Sequence, residues 1–336
     1  MNFKTRRILI SAGGAIVFAA LLACACTRLR YNDFRRYGRD TGLSWDEMVQ
    51  TYGEPTPDLE WAMSLSNAAF DEDWDRLEKL TQKDRRSELG TYFRNLAKAK
   101  KGLLSEELMS YYQPFERALF LPVGEKSGRF IIAQSGEVWW QLGENTMAEH
   151  SAILGLSFSK NKCGRRFLQR LGEINKVWGD EAAAAKYFNL AGCGSKMDEE
   201  ELARRRSLMQ TRDEIHPADA LRPILKSLLE ASPDNETALE YLLCLDLLLK
   251  DLPSFVEDWT PQAKHSEVYQ QAALIWMAYT GEHDDSLMDL FGITPEVFER
   301  FKQFTMMYGK ASFEQMEEQF ADTYWFYFKY AKRNEG

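Results

Sequence analysis

Residues 171–192 read LGEINKVWGDEAAAAKYFNLAG, and the reading of this stretch decides the fold. Gly179-Asp180 stands where one amphipathic helix ends and the next begins. A glycine tolerates the left-handed conformation that closes a helix, and an aspartate carboxylate caps the N-terminus that follows. Ala184, Phe188 and Ala191 then come at offsets of five, nine and twelve from Gly179. Their spacing puts small and aromatic side chains on one helical face.

If this hairpin is one unit of an array, the same turn returns after about 34 residues. Gly143 precedes Gly179 by 36 positions, with Ala148, Ala152 and Gly155 at the same three offsets. Lys250-Asp251 stands 71 positions after Gly179, or two periods. The unit between them falls near RDEIHP, where His216-Pro217 starts a helix, and Gly102 and Gly281 add further turns. Pro233, in ASPDNETALEY, precedes another helix start. The small–aromatic–small face resembles the second helix of a tetratricopeptide repeat, in which small residues let two helices approach and the aromatic fills the groove. The expected fold class is all-α, a tetratricopeptide-like helical-repeat array (an α-solenoid) over residues 58–336. An irregular helical bundle is the alternative reading.

Composition agrees with helices. Ten prolines and 21 glycines in 336 residues are few for an all-β chain, which needs a turn every 8–12 residues or so. EYLLCLDLLL is apolar enough to be buried on most sides of its helix. The best strand candidate is RFIIA at 129–133, and one short strand builds no sheet. The first 40 residues carry eight basic and two acidic residues, whereas the remainder has a net charge of −15. An acidic body argues against nucleic acid, whose phosphates need a Lys/Arg surface.

The N-terminus points to a membrane. Lys4, Arg6 and Arg7 precede an uncharged, mostly apolar run of nineteen residues from Ile8 to Cys26. At about 1.5 Å per residue this just crosses a hydrocarbon core of roughly 30 Å. It also resembles a bacterial lipoprotein signal, with Cys24 (in LLAC) or Cys26 (in ACAC) as the lipidation candidate. The lipoprotein reading makes the helical domain periplasmic. Arg28, Arg30, Arg35, Arg36 and Arg39 support the other reading, a single-pass anchor with a cytoplasmic C-terminal side. Residues 1–26 are thus a signal peptide or anchor, and 27–57 a basic linker. Of the other cysteines, Cys244 reads as a small core residue, and Cys163 and Cys193 can pair if their helix ends meet.

Catalytic constellations are absent. Glu149 and His150 are adjacent on one helix and so point about 100° apart. His216, His265 and His283 stand alone, and no His/Cys spacing suggests a metal site. AGCGSK at 191–196 ends like a phosphate loop but lacks the first glycine of that motif, and reads as the turn closing the opening hairpin. SFSK holds a Ser-x-x-Lys spacing too common to carry an acyl-enzyme. DEEELARRR at 198–206 reads as a solvated face with Glu200–Arg204 and Glu201–Arg205 pairs. The candidate binding surface is aromatic. Trp139 and Trp140 cannot share one groove, so one of them is available to a concave surface. Trp325, in FADTYWFYFKYAKR, belongs to a terminal helix that caps the array or docks a partner.

The blocks SGEVWWQLGENTMAEHSAILGLSFS, RRFLQRLGEINKVWGDEAAAAKYF and PDNETALEYLLCLDLLLKDLPSFVEDW resemble an uncharacterised family of Bacteroidota membrane proteins, over roughly residues 60 to 280. Members typically carry several transmembrane segments before the helical part, whereas this chain shows one apolar segment. The resemblance implies no catalytic residue, metal or cofactor. The expected function is a membrane-anchored scaffold or adaptor that binds a protein partner in the bacterial envelope, without catalysis. A glycan-binding envelope lipoprotein, with tryptophans stacked on sugars, is the alternative, and an enzyme of unknown class comes third.

Overall fold

The computed structural model describes residues 30–83, 86–209, 220–260, 262–263, 265–281 and 285–333. Among these residues the chain is all-helical, with nineteen α-helices and no β-strand. The apolar run, with Cys24 and Cys26, lies outside the described residues, as do His216 and His283. No helix among the described residues is long and apolar enough to cross a membrane.

The stretch read as a basic linker is instead structured. Helices α1 (Asn32–Thr41) and α2 (Trp45–Tyr52) precede α3 (Pro57–Phe70). Phe34 and Tyr37 share a face of α1 and bury with Met48 against Met63 of α3. The arginines of α1 point elsewhere, and Arg36 pairs with Asp71 at 2.6 Å. Glu60 of α3 caps α1 from outside, accepting bonds from the Asp33 and Phe34 amides at 2.9 and 2.8 Å.

Next come α4 (Trp74–Thr81), α5 (Glu88–Lys100) and α6 (Leu104–Glu107). The central hairpins are α7 (Arg129–Leu142) with α8 (Asn145–Ser157), and α9 (Arg165–Trp178) with α10 (Glu181–Ala191), followed by α11 (Glu199–Leu208). RFIIA, the strand candidate, is the first turn of α7. Its β-branched residues yield to tertiary contact, with Phe130 against Tyr37 at 5.5 Å. The remaining helices are α12 (Leu221–Ala231), α13 (Glu236–Leu249), α14 (Leu252–Asp258), α15 (Glu267–Thr280), α16 (Asp285–Leu290), α17 (Pro295–Met307), α18 (Phe313–Phe320) and α19 (Tyr324–Tyr330).

The turns share one chemistry. Gly143, Gly179, Lys250 and Gly281 each end a helix in the left-handed region, with φ of 89°, 86°, 61° and 74°. Glu144, Asp180 and Asp251 follow the first three and accept amide bonds from the next helix, Asp180 from Ala183 at 2.9 Å. At Gly143 a side chain is excluded twice, because a Cβ would also lie 2.5 Å from the Leu208 carbonyl oxygen.

In the opening hairpin Ala184 and Ala191 are buried. Phe188 lies on Gly172 of α9, where a Cβ would come within 2.6 Å of its ring. Helix α13 is buried at every position from Ala238 to Leu248. Aromatic α19 closes over it, the Tyr324 and Tyr327 hydroxyls donating to the Leu247 and Leu248 carbonyls at 3.0 and 2.9 Å.

Candidate functional site

The tryptophans expected at a binding surface are all core residues: Trp139, Trp140 and Trp325 are 4%, 2% and 0% exposed. Trp139 and Trp140 do leave α7 in different directions, but the helix is enclosed on both sides. Trp139 stacks on Phe120 at 4.7 Å. Trp140 points into a cluster of arginines. Trp325 donates its indole N–H to the Gln271 carbonyl at 3.0 Å.

The cluster around Trp140 builds a cleft of about 200 Å³ between the end of α3, α9, α11 and the loop at 192–197. Aromatic rings and cations alternate along it and, at Arg166, behind it. The Arg166 guanidinium lies 4.5 Å from the centre of the Phe70 ring, and Arg170 lies 5.4 Å from Phe70 and 4.6 Å from Trp140. Arg205 covers Trp140 at 3.9 Å, and Lys196 reaches Phe70 at 5.0 Å. Each ring face carries negative quadrupole density, so a desolvated guanidinium over it regains part of its lost hydration.

Carboxylates complete the network. Glu72 sits at a turn with φ of 57° that carries its side chain beneath α7. It accepts bonds from Arg205 Nη2 at 2.7 Å, Gln141 Nε2 at 2.9 Å and Trp140 Nε1 at 3.2 Å. Burial alone raises its pKa, but the charges of Arg205 and Arg170 and these N–H donors outweigh it, holding the carboxyl at about 2. Arg170 Nη2 bonds Glu137 at 2.8 Å, with both side chains buried. Arg166 donates to the Ser66 hydroxyl and carbonyl at 2.9 and 3.0 Å, and burial pushes its pKa down.

Several sequence expectations are resolved by this geometry. DEEELARRR is not a wholly solvated face: Arg205 is buried, bonded to Glu72 and paired with Glu201 at 2.6 Å. Arg204 pairs with Glu201 rather than Glu200. The AGCGSK turn folds back onto α9, the Ser195 hydroxyl and Lys196 amide donating to Glu173 at 3.1 and 2.9 Å. Sequence reasoning missed Arg166, Arg170 and Glu173; the signal was their i, i+4, i+7 spacing on one face of α9. His150 is exposed, and Cys163 and Cys193 are free thiols. Among the described residues no group of three or more His, Cys, Asp or Glu could hold a metal ion.

A second feature lies at the C-terminal end. Tyr279, Met306, Tyr308 and Phe313 are 63%, 66%, 46% and 46% exposed. Lys329 joins part of this face, donating to the Tyr279 hydroxyl at 2.6 Å and lying 5.0 Å from the Tyr308 ring centre. Phe313 continues it through Phe326 and Tyr330, at 5.5 and 5.3 Å.

The class is therefore an all-helical protein with an arginine–aromatic cleft on one side and an uncovered aromatic face at its end. The chain belongs to the family of unknown function DUF6057, whose sequence profile matches residues 2–191 and 194–331. No curated protein and no solved structure matches it.

Proposed function

We propose that this protein is a membrane-anchored, non-catalytic helical-repeat scaffold of the bacterial envelope that docks a protein partner. The observation that carries this reading is the exposed face of Tyr279, Met306, Tyr308 and Phe313. Tyrosine, phenylalanine and methionine are enriched in protein interfaces, and large exposed apolar side chains gathered at one end are costly to leave in water. The recurring Gly-acid turns at 143 and 179 and their counterpart at Lys250-Asp251 support the repeat architecture.

Lys310 and Lys332 stand exposed beside the face and Lys329 within it. With Glu314, Glu317 and Glu318 exposed in the helix that begins at Phe313, the face fits a partner helix with an apolar stripe flanked by charges of both signs. A glycan ligand stays the second reading: Trp139, Trp140 and Trp325 offer no open ring face, and Trp178, 36% exposed, is a tryptophan that could stack on a sugar.

The test is site-specific photo-crosslinking in cells from positions 308 and 313, with Leu190 on exposed α10 as the control position. The same discrete protein adduct is expected from 308 and 313, absent from 190 and weakened by Lys329→Glu. Adducts to lipid alone, or none at all, overturn the reading. The anchor is tested separately by labelled palmitate: loss of label in Cys24→Ala or Cys26→Ala supports lipidation, and retention in both removes it.

A further inference from the structure

The charges lining the Phe70–Trp140 cleft are not all matched among the described residues. Asp71 is taken by Arg36 in two bonds of 2.6 and 2.7 Å, Glu72 by Arg205, and Glu201 by Arg204 and Arg205. Glu173 differs. It is 5% exposed, accepts only from the Ser195 hydroxyl and the Lys196 amide, and has no cationic side chain within 4.0 Å among the described residues. A buried carboxylate without a countercharge is costly, and a cavity beside it is where that countercharge can be supplied.

The cations are incompletely used as well. Arg170 commits Nη2 to Glu137, while its Nε and Nη1 make no hydrogen bond to the described residues. Its guanidinium is held between the Phe70 and Trp140 rings, so its donors are fixed in orientation before any ligand arrives. Lys196 Nζ is 3.7 Å from Asp71, beyond hydrogen-bond distance, and its side chain is half exposed. The cleft thus offers two sets of cationic donors and one uncompensated carboxylate around about 200 Å³. One water needs roughly 10–15 Å³ of such space, so there is room for a molecule of several heavy atoms.

We propose that this cleft binds a small zwitterion, an α-amino acid or a molecule with the same ammonium–carboxylate pair, with Arg170 and Lys196 on the carboxylate and Glu173 on the ammonium. Phe70 and Trp140 are already faced by guanidinium groups, so a nucleobase or sugar finds no ring to stack on. A phosphate dianion would meet the Glu173 charge without gaining a use for it. The site is independent of the docking face and stands or falls separately from it.

The test is calorimetric titration of the full chain in detergent with the twenty L-amino acids, and with acetate, ethylamine and inorganic phosphate as single-charge probes. At least one amino acid should saturate the protein, and bind at least tenfold more tightly than acetate, ethylamine or phosphate. Glu173→Gln keeps one oxygen for the Lys196 amide and turns the other contact round, its NH2 donating to the Ser195 hydroxyl, and should weaken binding about tenfold or more. Lys196→Ala alters a half-exposed side chain and should do the same with an unchanged melting curve. The proposal is overturned if no amino acid binds, if acetate or phosphate binds as tightly, or if affinity survives Lys196→Ala.

Discussion

Glu72 and Asp246 are both carboxylates enclosed by helices, and their protonation runs in opposite directions. Glu72 is held at about 2, whereas Asp246 is pushed up to about 8. Burial raises both. What separates them is depth, 33% of the Glu72 side chain being exposed and none of Asp246, and the company within reach. Glu72 accepts three N–H bonds and has Arg205 at 2.7 Å. Asp246, wholly buried on α13, has no hydrogen bond to either oxygen among the described residues, and Arg222 stands 3.6 Å away. That cation is shared with Asp258, whose charge is the second cause of the Asp246 shift, and Arg222 lies 2.8 Å from Asp258. A carboxylate among helices is therefore ionised or neutral according to its depth and the donors that touch it together.

Arg205→Ala is expected to bring the largest loss. It strips Glu72 of its closest cation and Trp140 of its covering guanidinium, leaving a charge with only neutral donors in direct contact. The Glu72 side chain is 33% exposed and partly screened, so the loss is about 1–3 kcal/mol, less than for a fully buried pair, read by urea denaturation at pH 7. Glu72→Gln added to Arg205→Ala should recover part of that loss, since the amide needs no countercharge. A single-variant loss under ~1 kcal/mol would erase the contrast with Asp246.

Asp246→Asn tests the other side, and its effect should depend on pH. In the unfolded chain the carboxyl releases its proton near the ordinary value of 3.8, while the folded protein keeps it to about 8. Across that window the unfolded state binds fewer protons, so stability falls as pH rises, by at most about 1.4 kcal/mol per unit. Asn carries no such proton and can donate its amide to Asp258. The variant should match the wild type near pH 4 and exceed it by a few kcal/mol near pH 8, measured as urea midpoints across that range. Glu72 contributes with the opposite sign: its stabilisation is present above the ordinary 4.5 and is lost as pH falls towards 2. A wild-type curve that rises steadily from pH 4 to 8, unaltered by Asp246→Asn, would sink the assignment.

Local chemistry was legible in the sequence, and long-range company was not. Gly179-Asp180 announced its turn because a left-handed glycine and a capping carboxylate act within five residues. The helices at 32–52 were hidden by their arginines, although Phe34 and Tyr37 already stood three residues apart on one face. Trp139 and Trp140 misled because adjacency shows that two side chains diverge, not whether both directions are covered. Arg205 shows its partner Glu201 at i−4, but Glu72 lies 133 positions away. The cleft has no motif at all. Its residues come from the end of α3, from α7, α9, α11 and the loop at 192–197, and only packing assembles them.

Lys226→Ala should give the smallest effect and sharpen the comparison most finely. The Lys226 ammonium sits 3.0 Å from both Glu257 and Asp258, but its side chain is 37% exposed. Water screens such a pair, which is worth about 0–1 kcal/mol. Arg222 retains its own contacts with Asp258 at 2.9 and 2.8 Å after the substitution. The expected loss is therefore under ~1 kcal/mol at pH 7 and smaller still in high salt. If the loss instead approached that of Arg205→Ala, Asp258 would depend on the outer lysine rather than on Arg222. The Asp246 cluster would then be governed by charge reached through solvent, and the rule that depth and contacting donors together decide a carboxylate's state would fail there.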